Sequence, residues 1–412
     1  MRILKYIFLI LIALVAWTAF LFFGMSNGFL LSSINEEDSA KSFIESTKVN
    51  PDEEFVGSRA MALIQDGKIE DEYYYSIDQP VDRTTVFPVA SISKWVTAWG
   101  VMKLVEQGKL DLDVPVDSYL TRWHLHKSDF DNKQITIRRL LSHSSGVIRD
   151  IEDDNFKPET NTQTIEELLN SYEGDSFIWF EPGSQYAYSN IGYAILQLVI
   201  EEVTQQSFPD YIEQTVFEPL QMNNSTFLLR SKPDLKLGQL YDEDSNLTQP
   251  NTHTALAAAG LFTSVEDLSK LMQATISDNV VLSQATKDLM NAPQTYVNDV
   301  PVYGLGPDLY SQSDEDSKVI GHDGVGGVTA MNTAARIDLN SKDGIIILQM
   351  GNYYTASGIA EEWLFWKFGI ADFKVIQRNK SFLLSLLIIG YLVIGAAAFG
   401  LIRRSKRRRL AE

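Results

Sequence analysis

Two stretches of the chain stand apart in their hydropathy. Residues 6–23 run for 18 positions without a charge, and residues 382–402 for 21. At 1.5 Å per residue, either run is long enough to cross the hydrocarbon of a bilayer as a helix. Between them the pattern is mixed. Residues 60–65 and 68–77 predict two strands around a tight Asp66-Gly67 turn. Residues 327–337 and 344–350 predict two more, with 340–343 as their turn. Helical spacing predicts helices over 91–107, 165–172, 191–204, 208–216 and 265–276. Residues 35–49 are polar, compatible with a helix and stopped by Pro51, which suits a juxtamembrane spacer. The acidic stretch 311–316 reads as a solvated turn. Strands thus bracket the central region and helices fill it. The expectation is an α+β fold: an antiparallel sheet built from both ends, flanked by helices, with an inserted helical subdomain.

The flanks of the apolar runs orient them. Arg2 and Lys5 precede the first, and Arg403, Arg404, Lys406, Arg407, Arg408 and Arg409 follow the second. Both flanks then belong on the cytoplasmic side of a cell membrane, as in a multi-pass protein whose residues 24–381 lie outside. The first run also has the form of a signal peptide, but a small-x-small cleavage site is hard to find after Phe23. The division expected is an N-terminal anchor or signal peptide at 1–25, a spacer at 26–54 and a folded domain at 55–370. A linker at 371–381, a transmembrane helix at 382–402 and a basic cytoplasmic tail at 403–412 complete it.

Charge sharpens this picture. The chain carries 35 Lys and Arg against 54 Asp and Glu, a net −19, and eight of the basic residues sit in the terminal segments. The part between keeps 27 basic and 53 acidic residues, a net −26. Such a domain is solvated and repels a phosphate backbone, so nucleic acid is not an expected partner. The absence of cysteine removes disulfide scaffolds, Cys-ligated zinc, iron–sulfur clusters and thiol nucleophiles. With 45% hydrophobic residues the domain can bury a substantial core.

Three short motifs carry candidate chemistry. Ser91 and Lys94 open a helical pattern, and a three-residue step puts both on one face. A desolvated lysine there can activate the hydroxyl, while the helix N-terminus offers a backbone N–H to a developing oxyanion. The plain alternative is an N-cap serine with a solvated lysine. Tyr188 and Asn190 end a Pro-Gly loop that runs into the next helix, and could supply a proton carrier and an orienting amide. The alternative is an Asn190 cap beneath a packed tyrosine. Gly321-His322-Asp323-Gly324 leads into a β-rich run where small residues let a ligand approach the backbone. His322 could donate a hydrogen bond there, or be an ordinary satisfied histidine. A Ser-His-Asp triad has no Gly-x-Ser-x-Gly elbow to support it. His124-Leu125-His126 lacks further ligands, so neither metal nor cofactor is expected.

Together with residues 108–116, 135–146, 181–196 and 259–268, these motifs resemble the serine β-lactamase and penicillin-binding protein superfamily. The similarity is to its class C β-lactamase-related group, which includes D-alanyl-D-alanine carboxypeptidases, esterases and amidases, and it spans roughly residues 55–350. It implies a beta-lactamase/transpeptidase-like fold with Ser91 as acylated nucleophile, Lys94 as its partner and Tyr188 as a proton shuttle coupled to Lys94. Either of the last two could be the base. By the same resemblance Asn190, His322 and Gly324 bind substrate, the backbone N–H groups of Ser91 and Val325 form the oxyanion hole, and His143 is structural. His322 stands where these β-lactamases commonly carry Lys, and Asp323 where Thr or Ser is usual. The function expected is a membrane-anchored, extracytoplasmic serine hydrolase acting on small-molecule or peptide amides or esters. A cell-envelope peptidase, carboxypeptidase or esterase fits better than a dedicated β-lactamase, with peptidoglycan-derived peptides among the candidate substrates. The alternative is a catalytically silent module that senses cell-wall peptides or β-lactams.

Overall fold

A computed structural model of the chain describes residues 2–31, 39–50, 55–147, 163–172, 177–311, 317–371 and 375–409. The acidic stretch read at 311–316 lies outside the described residues from 312 onward, as do parts of the spacer and linker and the end of the basic tail. The chain divides into two units, Glu37–Ala360 and the pair of termini Met1–Glu36 with Glu361–Glu412.

The larger unit is organised by an eight-stranded antiparallel sheet. In chain order its strands are β1 (Ser58–Gln65), β2 (Lys68–Ser76), β3 (Thr295–Val297), β4 (Val300–Tyr303), β5 (Asp308–Leu309), β6 (Val319–Val325), β7 (Met331–Asp338) and β8 (Gly344–Met350). They are arranged β2-β1-β8-β7-β6-β5-β4-β3. The first and last strands of this unit therefore pair with each other, β8 lying between β1 and β7: Met61 pairs with Ile347, and Ala334 with Ile347 from the other side. Every residue of β7 and β8 is buried, which explains why β8 reads as a continuous apolar run rather than an alternation. β2 is one of the two edges, and its Lys68, Glu70, Asp71 and Glu72 discourage further strand pairing there. Asp66 and Gly67 join β1 to β2 with φ of +48° and +75°, the left-handed pair that a two-residue hairpin turn requires.

Two strand expectations need correction. The run 327–337 becomes a strand only from Met331, because Gly326 N–H donates back to Met331 O at 3.0 Å and closes a turn before it. The motif 321–324 is itself part of a strand, β6. Its two glycines weaken any β signature in the sequence, yet Gly321 is required: at φ +154° a Cβ would run into the Ala335 carbonyl of β7.

The helical side is built on α1 (Ile92–Glu106), α2 (Asn190–Thr204) and α3 (Val265–Ile276). α1 buries residues all around its circumference, so it is a core helix with no solvent stripe. α3 is amphipathic and capped by Ser264, whose side chain accepts from Asp267 N–H. The predicted helix 208–216 is a short α-helix, Phe208–Ile212, that continues as a π-helical turn.

In the terminal unit, Lys5–Ser26 and Lys380–Arg404 are two helices long and apolar enough to cross a membrane. They pack on each other: Trp17 Nε1 donates to Leu386 O at 3.2 Å, and the Thr18 and Tyr391 hydroxyls are 2.8 Å apart.

Candidate active site

Ser91 is held at the seam between sheet and helices. Phe87–Pro88 pairs with Phe262–Thr263, Val89 N–H donates to Leu261 O at 3.0 Å, and Thr333 Oγ1 of β7 donates to Val89 O at 3.0 Å. Ala90 follows at φ +45°, a left-handed conformation that a non-glycine residue holds only when its surroundings impose it. This bend delivers Ser91 to the start of α1. Ser91 occupies the cap position but makes no side-chain cap bond, so its hydroxyl is not spent on the helix. It faces Lys94 instead, with Nζ 3.3 Å from Oγ.

Lys94 is fully buried. Its Nζ donates to Asn190 Oδ1 at 2.8 Å and to Ala258 O at 2.7 Å, and it lies 4.8 Å from the centre of the Tyr188 ring. Burial pushes the ammonium well below the ordinary lysine range, with the Asp308 carboxylate partly opposing the shift. A neutral amine has two hydrogens, and the two short contacts account for both. In that form its lone pair would be left for the longer third contact, to Ser91 Oγ.

Tyr188 is pushed well above the ordinary phenol range by burial, which the nearby Ser91 hydroxyl partly opposes. Its own hydroxyl makes no hydrogen bond of good geometry among the described residues. His143 fixes the loop that carries it. The Ser189 N–H donates to His143 Nδ1 at 3.0 Å, Ala187 N–H donates to His143 O at 2.8 Å, and the imidazole lies 4.2 Å from the Tyr188 ring. The cap of α2 is Ser189, whose Oγ accepts from Gly192 N–H at 2.9 Å. Asn190 is thereby released from capping and turns its Oδ1 to Lys94.

The structure brings Ser91, Lys94, Tyr188 and Asn190 together, but it places the third motif differently from the expectation. His322 is 2% exposed. Its Nε2 is 3.0 Å from the Tyr303 hydroxyl and its ring is 6.2 Å from that of Tyr188, so it backs the tyrosines rather than facing the opening. Asp323 points elsewhere, to Arg336 Nη2 at 2.8 Å and the Tyr310 hydroxyl at 2.8 Å. Gly324 is a packing glycine: a Cβ there would strike the Val89 carbonyl. His322 and Gly324 are thus packed against Tyr303 and the Val89 carbonyl, and the substrate contacts expected of them stay a proposal.

An opening of about 230 Å³ lies in front of Ser91, with Asn190 and Val325 on its walls. Asn251, His253 and Thr329 also line it, and the sequence reading singled out none of them. Asp308 was missed as well. It sits in a two-residue strand, buried, and acts on Lys94 and Tyr188 through space. No periodic or motif signal marks these four positions. The His124 pair is accounted for locally: Nδ1 of His124 is 3.1 Å from Asp117, and the His126 ring stacks edge-on against Trp123 and Phe177.

The structure thus sets a hydroxyl against a buried lysine, on a helix that abuts an antiparallel sheet in an α+β fold. The chain belongs to the beta-lactamase family, whose model matches residues 53–362. It is 28% identical over 218 residues to Protein flp of Staphylococcus aureus (strain MW2), covering 51% of this chain and 43% of that protein. It is 30% identical over 268 residues to Penicillin-binding protein 4* of Bacillus subtilis (strain 168), covering 60% and 57%. The chain thus spans about half the length of these curated relatives. The octameric penicillin-binding protein homologue from Pyrococcus abyssi superimposes with a TM-score of 0.66 at 27% identity, over 77% of this chain and 74% of that one. Members of the superfamily are generally serine hydrolases acting on small-molecule or peptide substrates.

Proposed function

We propose that this chain is a cell-envelope hydrolase that cleaves amides or esters through an acyl-enzyme at Ser91. The observation that carries the reading is the 3.3 Å approach of a fully buried Lys94 Nζ to Ser91 Oγ. In the first step Oγ bonds to the substrate carbonyl carbon as its proton passes to the Lys94 amine. The carbonyl becomes an oxyanion facing the backbone N–H groups of Ser91 and Val325. The bond to the leaving group then breaks, and the departing atom takes a proton from the Lys94/Tyr188 pair. Water reverses the sequence: its oxygen bonds to the acyl carbon as its proton passes to the pair, and the acyl–Oγ bond then breaks as Oγ takes a proton back from the pair. Burial favours neutral Lys94 and protonated Tyr188 at rest, which supports Lys94 as the base and Tyr188 as the donor to the leaving group. Asn190 holds the lysine through Oδ1 and keeps its Nδ2 for the substrate.

The two apolar terminal helices and their basic flanks support a membrane anchor with both termini cytoplasmic and the hydrolase domain outside. Anchoring would keep the site near wall peptides or lipid-linked esters. The test is intact-mass analysis of the detergent-solubilised full chain, wild type and Ser91→Ala, after exposure to a fluorophosphonate. The expected result is a single adduct on wild type and none on the variant. A folded wild-type protein that takes no adduct overturns the reading.

A further inference from the structure

The walls of the opening bear on what enters it. Among the described residues that line it none is a lysine, arginine, aspartate or glutamate; the polar ones are Ser91, Asn190, Asn251, His253 and Thr329. The remaining wall is apolar or glycine, with Val325 and Val328 51% and 41% exposed at its edge. The third-motif side chains supply no cation either, since His322 is buried against Tyr303 and Asp323 is paired with Arg336 on the other side of β6. The rim adds negative charge. Tyr353 donates from its hydroxyl to Gly327 O at 2.9 Å, pinning the glycine turn that borders the opening. Ala330 N–H donates to Tyr241 O at 2.8 Å, which sets the acidic turn Asp242-Glu243-Asp244 beside the loop that borders the opening. Moving a carboxylate into such a site strips its hydration without a lysine or arginine to receive it and brings it toward an acidic turn.

We infer that the Ser91 site selects acyl donors that carry no carboxylate next to the scissile bond, and so works as an esterase or endo-acting amidase rather than on free C-terminal acids. This rests on the proposed Ser91 chemistry and narrows its substrate class. Asn190, Asn251 and Thr329 then meet a neutral amide or ester, and Val325, Val328 and Met331 meet its apolar part.

The test compares hippuryl thioglycolate with its methyl ester, two thioesters identical at the bond cleaved and differing only in one carboxylate. Thiol release by the full chain in detergent is followed at pH 8 and low salt. Each compound is also scored as a competitor of fluorophosphonate labelling at Ser91, so that slow turnover still yields a comparison. The methyl ester is expected to exceed the free acid in kcat/KM, or in protection, by about ten-fold. Val328→Lys, an exposed substitution at the rim, should raise the rate on the free acid several-fold, and added salt should remove the gain. A free acid handled as well as or better than its ester, failure of the methyl ester to compete, or a Val328→Lys variant indifferent to the carboxylate overturns the inference. Failure of wild-type labelling itself would instead strike the Ser91 reading.

Discussion

The backbone N–H of Ser189 donates to Nδ1 of His143 at 3.0 Å, joining the loop before α2 to a histidine 46 positions earlier. The bond fixes the tautomer, because an Nδ1 that accepts must carry its proton on Nε2. His143 itself sits at φ +56° with its ring 4.2 Å from Tyr188, so backbone, hydrogen bond and ring contact converge on the residue proposed to serve the leaving group. His143→Asn tolerates the left-handed backbone but loses the ring. Acylation by a fluorophosphonate should slow by about ten-fold or more, while the unfolding midpoint falls by the equivalent of about 1–3 kcal/mol. An unchanged labelling rate would show that the imidazole does not position Tyr188.

Lys94 ties catalysis to stability. Its folded value is depressed by burial, so between that value and the ordinary 10.5 the unfolded chain binds more protons than the folded one. Stability must then rise with pH across this window, by up to about 1.4 kcal/mol per pH unit for a whole proton. Lys94→Met removes that slope. Its urea stability should equal or exceed wild type at pH 7, with the difference closing toward pH 10, and its acylation should be lost. Wild-type acylation should increase with pH as Lys94 loses its proton, well below 10.5. Parallel pH–stability curves for the two proteins would mean that Lys94 is charged in the folded state.

Much of this arrangement was legible in the sequence because local rules decide it. Asp66-Gly67 fixes a two-residue turn, the apolar run 344–350 is a central strand with those bounds, and Ser91, Lys94, Tyr188 and Asn190 fall in motifs at element boundaries. The rest depends on contacts that one-dimensional spacing does not carry. β6 was hidden by the glycines its close packing needs, and β3, β4 and β5 are too short for a period. His322 has the chemistry of a ligand contact, yet only the register of β6 against β5 and β7 shows that it turns toward Tyr303. Asn251 and His253 reach Ser91 through tertiary folding alone.

Behind the site, Arg336 is wholly buried with Asp323 as its partner at 2.8 Å, and the guanidinium lies 3.8 Å from the centre of the Tyr310 ring. The Tyr310 hydroxyl bridges Asp323 Oδ1 at 2.8 Å and Asp308 Oδ2 at 3.2 Å. Removing one charge from such a pair takes this counter-charge away from a desolvated group. Asp323→Asn and Arg336→Met should each destabilise by about 3–5 kcal/mol, and the double variant by clearly less than their sum. Additive losses in urea unfolding would show that the pair is not coupled.

The proposed topology can be tested with unusual directness because the chain contains no cysteine, so a single introduced thiol is the whole signal. Val280 is 77% exposed on the larger unit, and Ser405 lies within the basic stretch after the second apolar helix. Positive flanks at both ends oppose translocation, whereas the acidic domain between them carries no such barrier. Val280→Cys should therefore react with a membrane-impermeant maleimide in intact cells, and Ser405→Cys only after permeabilisation. The intact mass of the labelled Val280→Cys protein also reports whether residues 1–25 remain attached, which separates a retained anchor from a cleaved signal peptide. Labelling of Ser405→Cys in intact cells, or protection of Val280→Cys, would place the hydrolase domain on the opposite side and remove cell-wall peptides from its reach.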